Sequence, residues 1–183
     1  MWLSFINNPL LLGFLLTLAL AVCTDLSTRK IPNMLILFGL MASLLGQVFW
    51  VEGAGWLNWL AGVALGFAAF MPMYLARGMA AGDVKLMMVV GGFLGYPLVI
   101  TALVSTYIAG GLLAMIYVVF KGQISPLLQN LRAMLYGFFI KITTGVSVEN
   151  TGLHNSVGHM PYALAIALGT VSTLYLRYTD NML

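Results

Sequence analysis

The chain has 183 residues, of which 61% are hydrophobic and only 7% are charged. Soluble domains are about 45–50% apolar and about 25% charged, so this composition excludes a soluble globule and a disordered chain. Eight basic residues and a net charge of +3 are too few for the basic patch of a nucleic-acid-binding protein. The composition therefore predicts an all-α, polytopic membrane protein that is embedded in the lipid bilayer and has no nucleic-acid partner.

Six apolar segments are predicted to form transmembrane helices, because a helix needs about 20 apolar residues to cross a bilayer core of about 30 Å. They lie at about residues 5–24, 31–50, 56–76, 84–94, 98–120 and 161–176. The fourth segment is short and ends at the turn Gly95-Tyr96-Pro97, so its neighbours are expected to shelter it. The first segment lacks a basic leading region and a small-residue cleavage site, which predicts a retained span rather than a cleaved signal peptide.

The stretch between the last two spans has a different character. Apolar residues recur there at helical spacing, with Arg132 and Lys141 among them. This pattern predicts an amphipathic helix at about residues 125–142 that lies in the cytoplasmic interface of the membrane. A further transmembrane helix is the alternative, which the two charges disfavour.

The third span carries a pair of small residues. Gly62 and Gly66 are four residues apart and so fall on one face of a helix. Glycines at this spacing let two helix backbones approach closely. The pair predicts tight packing against another helix of the same fold rather than a dimer seam.

The basic residues determine the predicted orientation. When six spans alternate across the bilayer, seven of the eight lysines and arginines fall on one face, and only Arg177 falls on the other. Basic residues concentrate in cytoplasmic loops. The sequence therefore predicts an integral protein of the cytoplasmic (inner) membrane with both termini outside.

Two acidic residues stand out from the apolar background. Asp25 ends the first span and Asp83 begins the fourth, so both are expected at one depth on the cytoplasmic face. Two carboxyl groups that meet there do not both ionise readily, and such a pair can act as general acid and general base. The alternative is that each aspartate only caps a helix. Asp83 is well placed for this, whereas Asp25 at a helix C-terminus would need Arg29 or Lys30 to compensate its charge.

The sequence predicts neither a metal nor a cofactor. Cys23 is the single cysteine, which excludes a disulfide framework and a four-cysteine zinc site. His154 and His159 are the two histidines. Because no cluster of cysteines or carboxylates lies near them in the sequence, they are interpreted as loop residues at the interface.

Three motifs resemble those of the type IV prepilin peptidase family. The family's D-x₃-R-x-I-P-N element is matched by Asp25 and Arg29-Lys30-Ile31-Pro32-Asn33. Its Gly-x-Gly-Asp-Val-Lys element is matched by Ala81-Gly82-Asp83-Val84-Lys85-Leu86, and its last-helix element P-Y-x₂-A-I by Met160-Pro161-Tyr162 and the residues up to 169. The motifs occur in the family's order and cover most of the predicted membrane core.

The resemblance implies an intramembrane aspartyl protease that removes the leader peptide of type IV pilin-like precursors at the cytoplasmic membrane face. Asp25 and Asp83 take the places of the two catalytic aspartates. The small size is similar to the short prepilin peptidases of the tight-adherence (Flp) pilus systems, so residues 1–183 are expected to form a single integral-membrane peptidase domain. Bifunctional members of the family carry an insertion with paired Cys-x-x-Cys zinc motifs. With Cys23 alone, N-methyltransferase activity is not expected.

The same motifs imply residues that support the aspartates or bind substrate. They are Arg29, Lys30, Asn33, Gly82, Lys85, Pro161 and Tyr162. Gly82 is expected to leave room for an extended substrate beside Asp83, and Asn33 either to orient Asp25 or to cap the second helix. The basic side chains either tune the aspartates and hold acidic substrate groups or only anchor the chain at the interface.

The sequence departs from the family pattern at Ala80, where the first glycine of Gly-x-Gly-Asp is expected. Alanine does not take a positive φ without a steric penalty. Two alternatives to the peptidase therefore stay open. One is a pilus-assembly membrane subunit that has lost activity, which Ala80 favours, and the other is a small proton-coupled transporter with the two aspartates as its proton relay. The individual pilin substrate, the identity of the general base and the oligomeric state are not predicted.

Overall fold

Six α-helices form the regular structure of residues 9–49, 55–76, 78–121 and 162–180, which are the residues that a computed structural model describes. They are α1 (Pro9–Thr28), α2 (Asn33–Phe49), α3 (Gly55–Leu75), α4 (Ala81–Leu94), α5 (Leu98–Phe120) and α6 (Ala163–Asp180). Each helix overlaps one of the predicted segments, so the all-α prediction is confirmed for these residues. The predicted amphipathic helix at 125–142 lies outside them.

Three of the helices contain segments long and apolar enough to cross a membrane. These segments are Leu11–Thr28, Gly55–Leu75 and Leu98–Phe120. α2 is apolar but shorter, with 17 residues, and α4 has 14. At a rise of about 1.5 Å per residue, α4 is about 21 Å long, less than a hydrocarbon core of about 30 Å. The long apolar helices indicate a membrane protein, and the number of spans stays a prediction.

The described helices belong to two units. The first comprises Met1–Gly110 and Pro161–Leu183, and the second comprises Gly111–Met160. Of the second unit, the structure describes residues 111–121, which are the C-terminal half of α5 and Lys121. The Lys121 ammonium lies 4.7 Å from the centroid of the Tyr117 ring. This cation–π contact stabilises the C-terminal end of α5.

Within the first unit, α4 packs against α2, α3 and α6, and its Phe93 ring also stacks on Phe14 of α1 with centroids 4.5 Å apart. Its residues from Val84 to Leu94 are buried, apart from the exposed Lys85 and the half-buried Met88. A helix that is apolar on all sides is one that its neighbours surround. The prediction that the fourth segment is sheltered by neighbouring helices is therefore confirmed.

Glycines allow α4 to lie directly against α3. A Cβ atom added at Gly62 would overlap the carbonyl group of Gly91, and one added at Gly66 would overlap the carbonyl of Met87. The two backbones are therefore in contact with no side chain between them. This confirms the tight helix packing predicted from the Gly62 and Gly66 pair, and it identifies α4 as the partner helix.

Polar side chains of α2 and α3 hold the C-terminal end of α4. The Gln47 side chain is 3% exposed, and its Nε2 donates to the carbonyl oxygen of Phe93 at 2.9 Å. Asn58 Nδ2 donates to Gln47 Oε1 at 3.1 Å, while Asn58 Oδ1 accepts the N–H of Tyr96 at 3.0 Å. Backbone groups that leave a helix inside a bilayer need partners of this kind. The two hydrogen-bonded side chains, here called the Gln47–Asn58 clamp, thus provide hydrogen-bond partners for backbone groups at the end of α4 and in the turn that follows it.

The outer faces of the helices carry large apolar side chains that protein does not cover. Leu12, Phe38, Leu57 and Ile108 are examples on α1, α2, α3 and α5. In water, contiguous exposed apolar surface of this kind favours aggregation. In a bilayer, the acyl chains cover it, which agrees with the membrane setting predicted from the composition.

Candidate active site

Asp25 lies in the last turn of α1, where its side chain is 7% exposed. Its Oδ2 atom accepts the backbone N–H of Ala163, the first residue of α6, at 3.2 Å. α1 ends directly after this turn, because Arg29 adopts a left-handed backbone with φ of 53° and its N–H donates to the Asp25 carbonyl oxygen at 2.9 Å. This is a helix C-cap of the αL type, a position that glycine usually occupies.

The compensation of the Asp25 charge differs from what a purely structural role requires. The C-terminal end of a helix dipole disfavours a carboxylate, so a purely structural Asp25 would need Arg29 or Lys30 to offset its charge. Both of those side chains are exposed, and the hydrogen bond described for the Asp25 carboxylate comes from the α6 backbone. A backbone N–H on a distant segment leaves no residue-type signal, so sequence reasoning missed Ala163.

Asp83 is the third residue of α4, and its side chain is 5% exposed. Its Oδ2 accepts the N–H of Ala80 at 3.2 Å, and its own N–H donates to the Ala80 carbonyl oxygen at 3.1 Å. The two bonds form a reciprocal turn that starts α4, so Asp83 does cap its helix, as the structural alternative required. Burial of the carboxyl group goes beyond what a helix cap needs.

The backbone of Ala80 shows whether position 80 needs the conformational freedom of the family's glycine. Ala80 has φ of −82° and ψ of 152°, an extended conformation that any L-residue adopts. Its side chain is exposed. Glycine is therefore not needed at this position for backbone freedom, and alanine introduces no strain next to Asp83.

The structure brings Asp25 and Asp83 close enough for their charges to interact. Asp83 precedes the apolar segment of α4, which begins at Val84. Burial and the negative charge of Asp25 together raise the pKa of Asp83 from 3.8 to about 7, against the opposing effect of the hydrogen bond from Ala80. Near neutral pH, Asp83 can therefore carry a proton beside Asp25. A site with one carboxylic acid and one carboxylate supplies both halves of acid–base chemistry.

Asn33 and Lys85 contact each other rather than the aspartates. The Lys85 ammonium donates to Asn33 Oδ1 at 2.9 Å, and both side chains are exposed. Asn33 is the first residue of α2, so this bond ties the start of α2 to the first turn of α4. The hydrogen bond described for the Asn33 carboxamide is to Lys85, and the two expected roles of Asn33, orienting Asp25 or capping the second helix, stay predictions.

Gly82 and Lys30 lie at the same end of the bundle. A Cβ atom added at Gly82 would lie 3.5 Å from the Ile31 side chain, which is an ordinary van der Waals contact. A small side chain at position 82 would therefore point at Ile31 without a clash. The Lys30 side chain is exposed, and its carbonyl oxygen accepts the Thr28 hydroxyl at 3.2 Å. Pro161, the remaining predicted support residue, lies outside the described residues.

Aromatic side chains pack beside the pair. The ring of Tyr162 meets Phe70 edge-on, with centroids 6.0 Å apart, and Phe70 in turn contacts Tyr107 at 5.4 Å. Tyr162 also interacts electrostatically with Asp83, and the Tyr107 hydroxyl donates to the Ala69 carbonyl oxygen at 2.6 Å. Tyr162 was predicted from its motif, whereas Phe70 and Tyr107 were not, since aromatic residues in apolar spans give no distinguishing pattern.

Metal ligands do not cluster in the part of the chain that the structure describes. Over those residues, no group of three or more histidine, cysteine, aspartate and glutamate side chains is positioned to hold a metal ion. Among the described residues, Asp25 and Asp83 make a pair without a third ligand. His154 and His159 lie outside the described residues, so the prediction for them is not tested.

Comparison with known proteins shows which family the chain belongs to. The model of the type IV leader peptidase family matches residues 12–115, a stretch that is more than half of the chain and contains both Asp25 and Asp83. No curated protein and no solved structure gives a significant match. The matched stretch ends before α6, so the third motif lies outside it. On the extent of this match, the chain belongs to the type IV leader peptidase family.

Proposed function

We propose that the protein is an intramembrane aspartyl endopeptidase that removes the leader of type IV pilin-like precursors at the cytoplasmic face of the inner membrane. Family membership makes it a leader-peptidase-like membrane protease. The observation that carries the proposal is the buried and electrostatically coupled pair of carboxyl groups on α1 and α4. Asp25 and Asp83 are the proposed catalytic residues.

The chemistry follows from one proton shared by two carboxyl groups. One carboxylate takes a proton from water while the water oxygen attacks the scissile carbonyl carbon, and the other, protonated group gives its proton to the carbonyl oxygen. The resulting gem-diol then collapses. It returns a proton to the second aspartate, the first aspartate protonates the leaving nitrogen, and the C–N bond breaks. The pair ends in its starting state, and one water molecule is consumed.

The proposed substrate class fits the position of the pair. A pilin precursor is an apolar helix preceded by a short basic leader, which the positive-inside rule keeps in the cytoplasm. Its scissile bond therefore lies at the cytoplasmic interface, where water is available. Asp25 ends α1 and Asp83 starts α4, so both stand at this interface in the proposed topology, with both termini outside.

The narrower parts of the proposal come from the sequence. By its resemblance to the short prepilin peptidases, the proposed peptidase is of the tight-adherence (Flp) type, with one membrane domain over residues 1–183. Cys23 is the single cysteine of this sequence, which supports peptidase activity without N-methyltransferase activity. No cofactor enters the proposed reaction, because the two carboxyl groups supply both proton transfers.

The direct test compares how fast the unmodified protein and two single variants, Asp25→Asn and Asp83→Asn in the full chain, cleave a pilin precursor. Each variant is expected to lower kcat/KM by a factor of roughly 10²–10⁴, the usual contribution of general acid–base catalysis. Leader removal is measured by the mobility shift of the precursor, with variant amounts in the membrane matched to those of the unmodified protein.

Glu52→Gln is the matched control, since it also neutralises one acidic residue but lies in the predicted external link. It is expected to cleave normally. Persistent cleavage by either aspartate variant would contradict the paired-carboxyl mechanism. Loss of solute uptake in cells that lack the protein, with unchanged precursor processing, would instead support the transporter.

A further inference from the structure

α5 contacts α6 and the residue before it at two places, and at each of them a glycine leaves room for the partner. A Cβ atom added at Gly169 of α6 would overlap the backbone of Thr106, and one added at Gly110 of α5 would overlap the hydroxyl group of Tyr162. Glycines at such contacts let two helices approach closely. α5 therefore holds both the middle of α6 and the residue that directly precedes this helix.

Gly110 and Phe70 enclose the Tyr162 ring and are here called the Tyr162 seat. A Cβ atom at Gly110 would lie 2.8 Å from Cζ and 3.0 Å from Cε2 of the ring, so the ring edge faces the α5 backbone. On α3, Phe70 meets the ring edge-on with centroids 6.0 Å apart. Phe70 is itself fully buried, and its ring contacts Tyr107 of α5. The seat is thus built from two helices and determines where the Tyr162 ring lies.

The peptide group that joins Tyr162 to Ala163 carries the N–H that reaches Asp25. This N–H donates to Asp25 Oδ2 at 3.2 Å, and both Asp25 and Ala163 are buried. The carbonyl oxygen of the same peptide group accepts the N–H of Ile166 at 3.1 Å. Because a peptide group is planar, its N–H and its carbonyl group cannot be aimed independently. The position of Tyr162 therefore affects where the donor to Asp25 points.

Side-chain packing matters at this point because helix ends fray. The first N–H groups of a helix have no acceptor within it, and Ala163 is the first residue of α6. The helix by itself therefore does not hold the Ala163 N–H on Asp25. The ring contacts of the preceding residue, Tyr162, supply a restraint that the backbone of α6 lacks.

We propose that Gly110 and Tyr162 are positioning residues of the catalytic pair: the space at Gly110 accepts the Tyr162 ring, and the seated ring holds the Ala163 N–H on the Asp25 carboxyl group. The proposal rests on the proposed function and deepens it, because it adds residues that act on the reaction through Asp25. Gly110 belongs to none of the three sequence motifs, and it is the packing of α5 that brings it to the site.

Gly110→Ala in the full chain tests the seat. The added methyl group overlaps the Tyr162 hydroxyl, so the ring and the peptide group after it must shift. The kcat for precursor cleavage is expected to fall by a factor of about 10–100, the scale of a displacement of up to about 1 Å. KM is expected to stay within about twofold, because position 110 is buried between helices and substrate binding is left in place.

Gly111→Ala is the matched control, since it makes the same change at the next residue of α5, where an added Cβ atom meets nothing within 4 Å. Both kinetic constants are expected to stay unchanged in it. An unchanged kcat in Gly110→Ala, or an equal loss in Gly111→Ala, would overturn the proposal.

The double variant Gly110→Ala/Tyr162→Phe separates positioning from a general loss of stability. Phenylalanine lacks the hydroxyl group that the added methyl group meets first. The fold-loss in kcat caused by Gly110→Ala is therefore expected to be smaller by at least about fivefold in the Tyr162→Phe background than in the unmodified protein, as for two residues in direct contact. Equal fold-losses in the two backgrounds would contradict the proposal.

An NMR measurement reads the donor to Asp25 without any substrate. The sequence contains a single Tyr-Ala step, Tyr162-Ala163, so ¹³C at the tyrosine carbonyls and ¹⁵N at the alanines select one amide group, that of Ala163. Its proton resonance is expected to move upfield in Gly110→Ala, as it does in Asp25→Ala, which lacks the acceptor. It is expected to stay in place in Gly111→Ala. An unmoved resonance in Gly110→Ala would overturn the proposal.

Phe70→Leu is the second variant, should Gly110→Ala fail to fold. It opens the Tyr162 seat from the side of α3, so the same upfield movement of the Ala163 resonance is expected, and its absence would overturn the proposal. Failure of the proposed function is recognised separately. It would appear as continued precursor cleavage by Asp25→Asn and Asp83→Asn, and it would leave the NMR result as it stands.

Discussion

Backbone strain lies at Arg29 rather than at the position of the missing motif glycine. Arg29 has φ of 53°, a conformation that costs a non-glycine residue about 1–2 kcal/mol. It turns the chain sharply after Asp25, so that α1 ends within one turn of the carboxylate. Ala80, next to the other aspartate, has an ordinary extended backbone. The two aspartates are thus held by different local means, a strained C-cap and an unstrained capping turn.

The conformation of Ala80 predicts the outcome of restoring the family glycine. Ala80→Gly is expected to change kcat/KM for precursor cleavage by less than about twofold, because glycine relieves no strain there and adds only backbone freedom. The measurement is cleavage by the two proteins side by side, at matched amounts in the membrane. A protein that is inactive with Ala80 and active with glycine would instead identify an assembly subunit that has lost catalysis.

The pKa of Asp83 predicts the alkaline limb of the reaction. With the pKa raised from 3.8 to about 7, Asp83 is protonated below that pH and loses its proton as the pH rises through it. The proposed reaction needs the proton, so kcat/KM is expected to fall about tenfold per pH unit above about pH 7. Activity that returns when the pH is lowered again separates titration from unfolding. A profile that stays flat from about pH 6 to about pH 9 would contradict a requirement for protonated Asp83.

At the scale of elements, α4 is held along its length and at its C-terminal end, while its first turn carries Asp83. Gly62 and Gly66 of α3 contact its backbone directly, and the Gln47–Asn58 clamp holds the turn after it. These contacts define the rotation and depth of the helix. The position of Asp83 therefore depends on packing many residues away from it.

Gly91→Ala tests this dependence. A Cβ atom at Gly91 would overlap the Gly62 carbonyl, so α3 and α4 must separate, at a cost of about 1–3 kcal/mol in the free energy of unfolding. Precursor cleavage is expected to fall with it, because Asp83 moves with α4. Thermal unfolding in detergent and the cleavage rate are the two measurements.

Gly13→Ala is the matched control, since it makes the same change in a helix where an added Cβ atom meets nothing within 4 Å. It is expected to be neutral or slightly stabilising, because alanine is the better helix former by up to about 1 kcal/mol. Equal stability of the two variants would contradict the direct backbone contact between α3 and α4.

At the scale of the whole molecule, composition and apolar run lengths were enough to predict the helices, their order and the short fourth one. Hydrophobic length is a strong signal, because each helix must satisfy its own backbone. The two aspartates could be singled out because charge is rare in this chain. By contrast, the Ala163 donor, the aromatic contacts of Phe70 and the Lys85–Asn33 bond depend on how helices rotate against each other. Apolar sequences carry almost no record of that rotation, since lipid-facing and buried faces have similar composition.

The shortness of α4 bears on how the protein enters the membrane during its synthesis. α1, α3 and α5 have the length and apolarity for independent insertion, whereas α4 has 14 residues with Asp83 and Lys85 in its first turns, and charged residues disfavour insertion of an isolated helix. Its place in the bilayer is therefore expected to depend on the neighbouring helices that pack around it. Under the proposed function, Asp25 and Asp83 then form a catalytic pair only once the bundle is assembled, so the nascent chain is expected to be inactive during insertion.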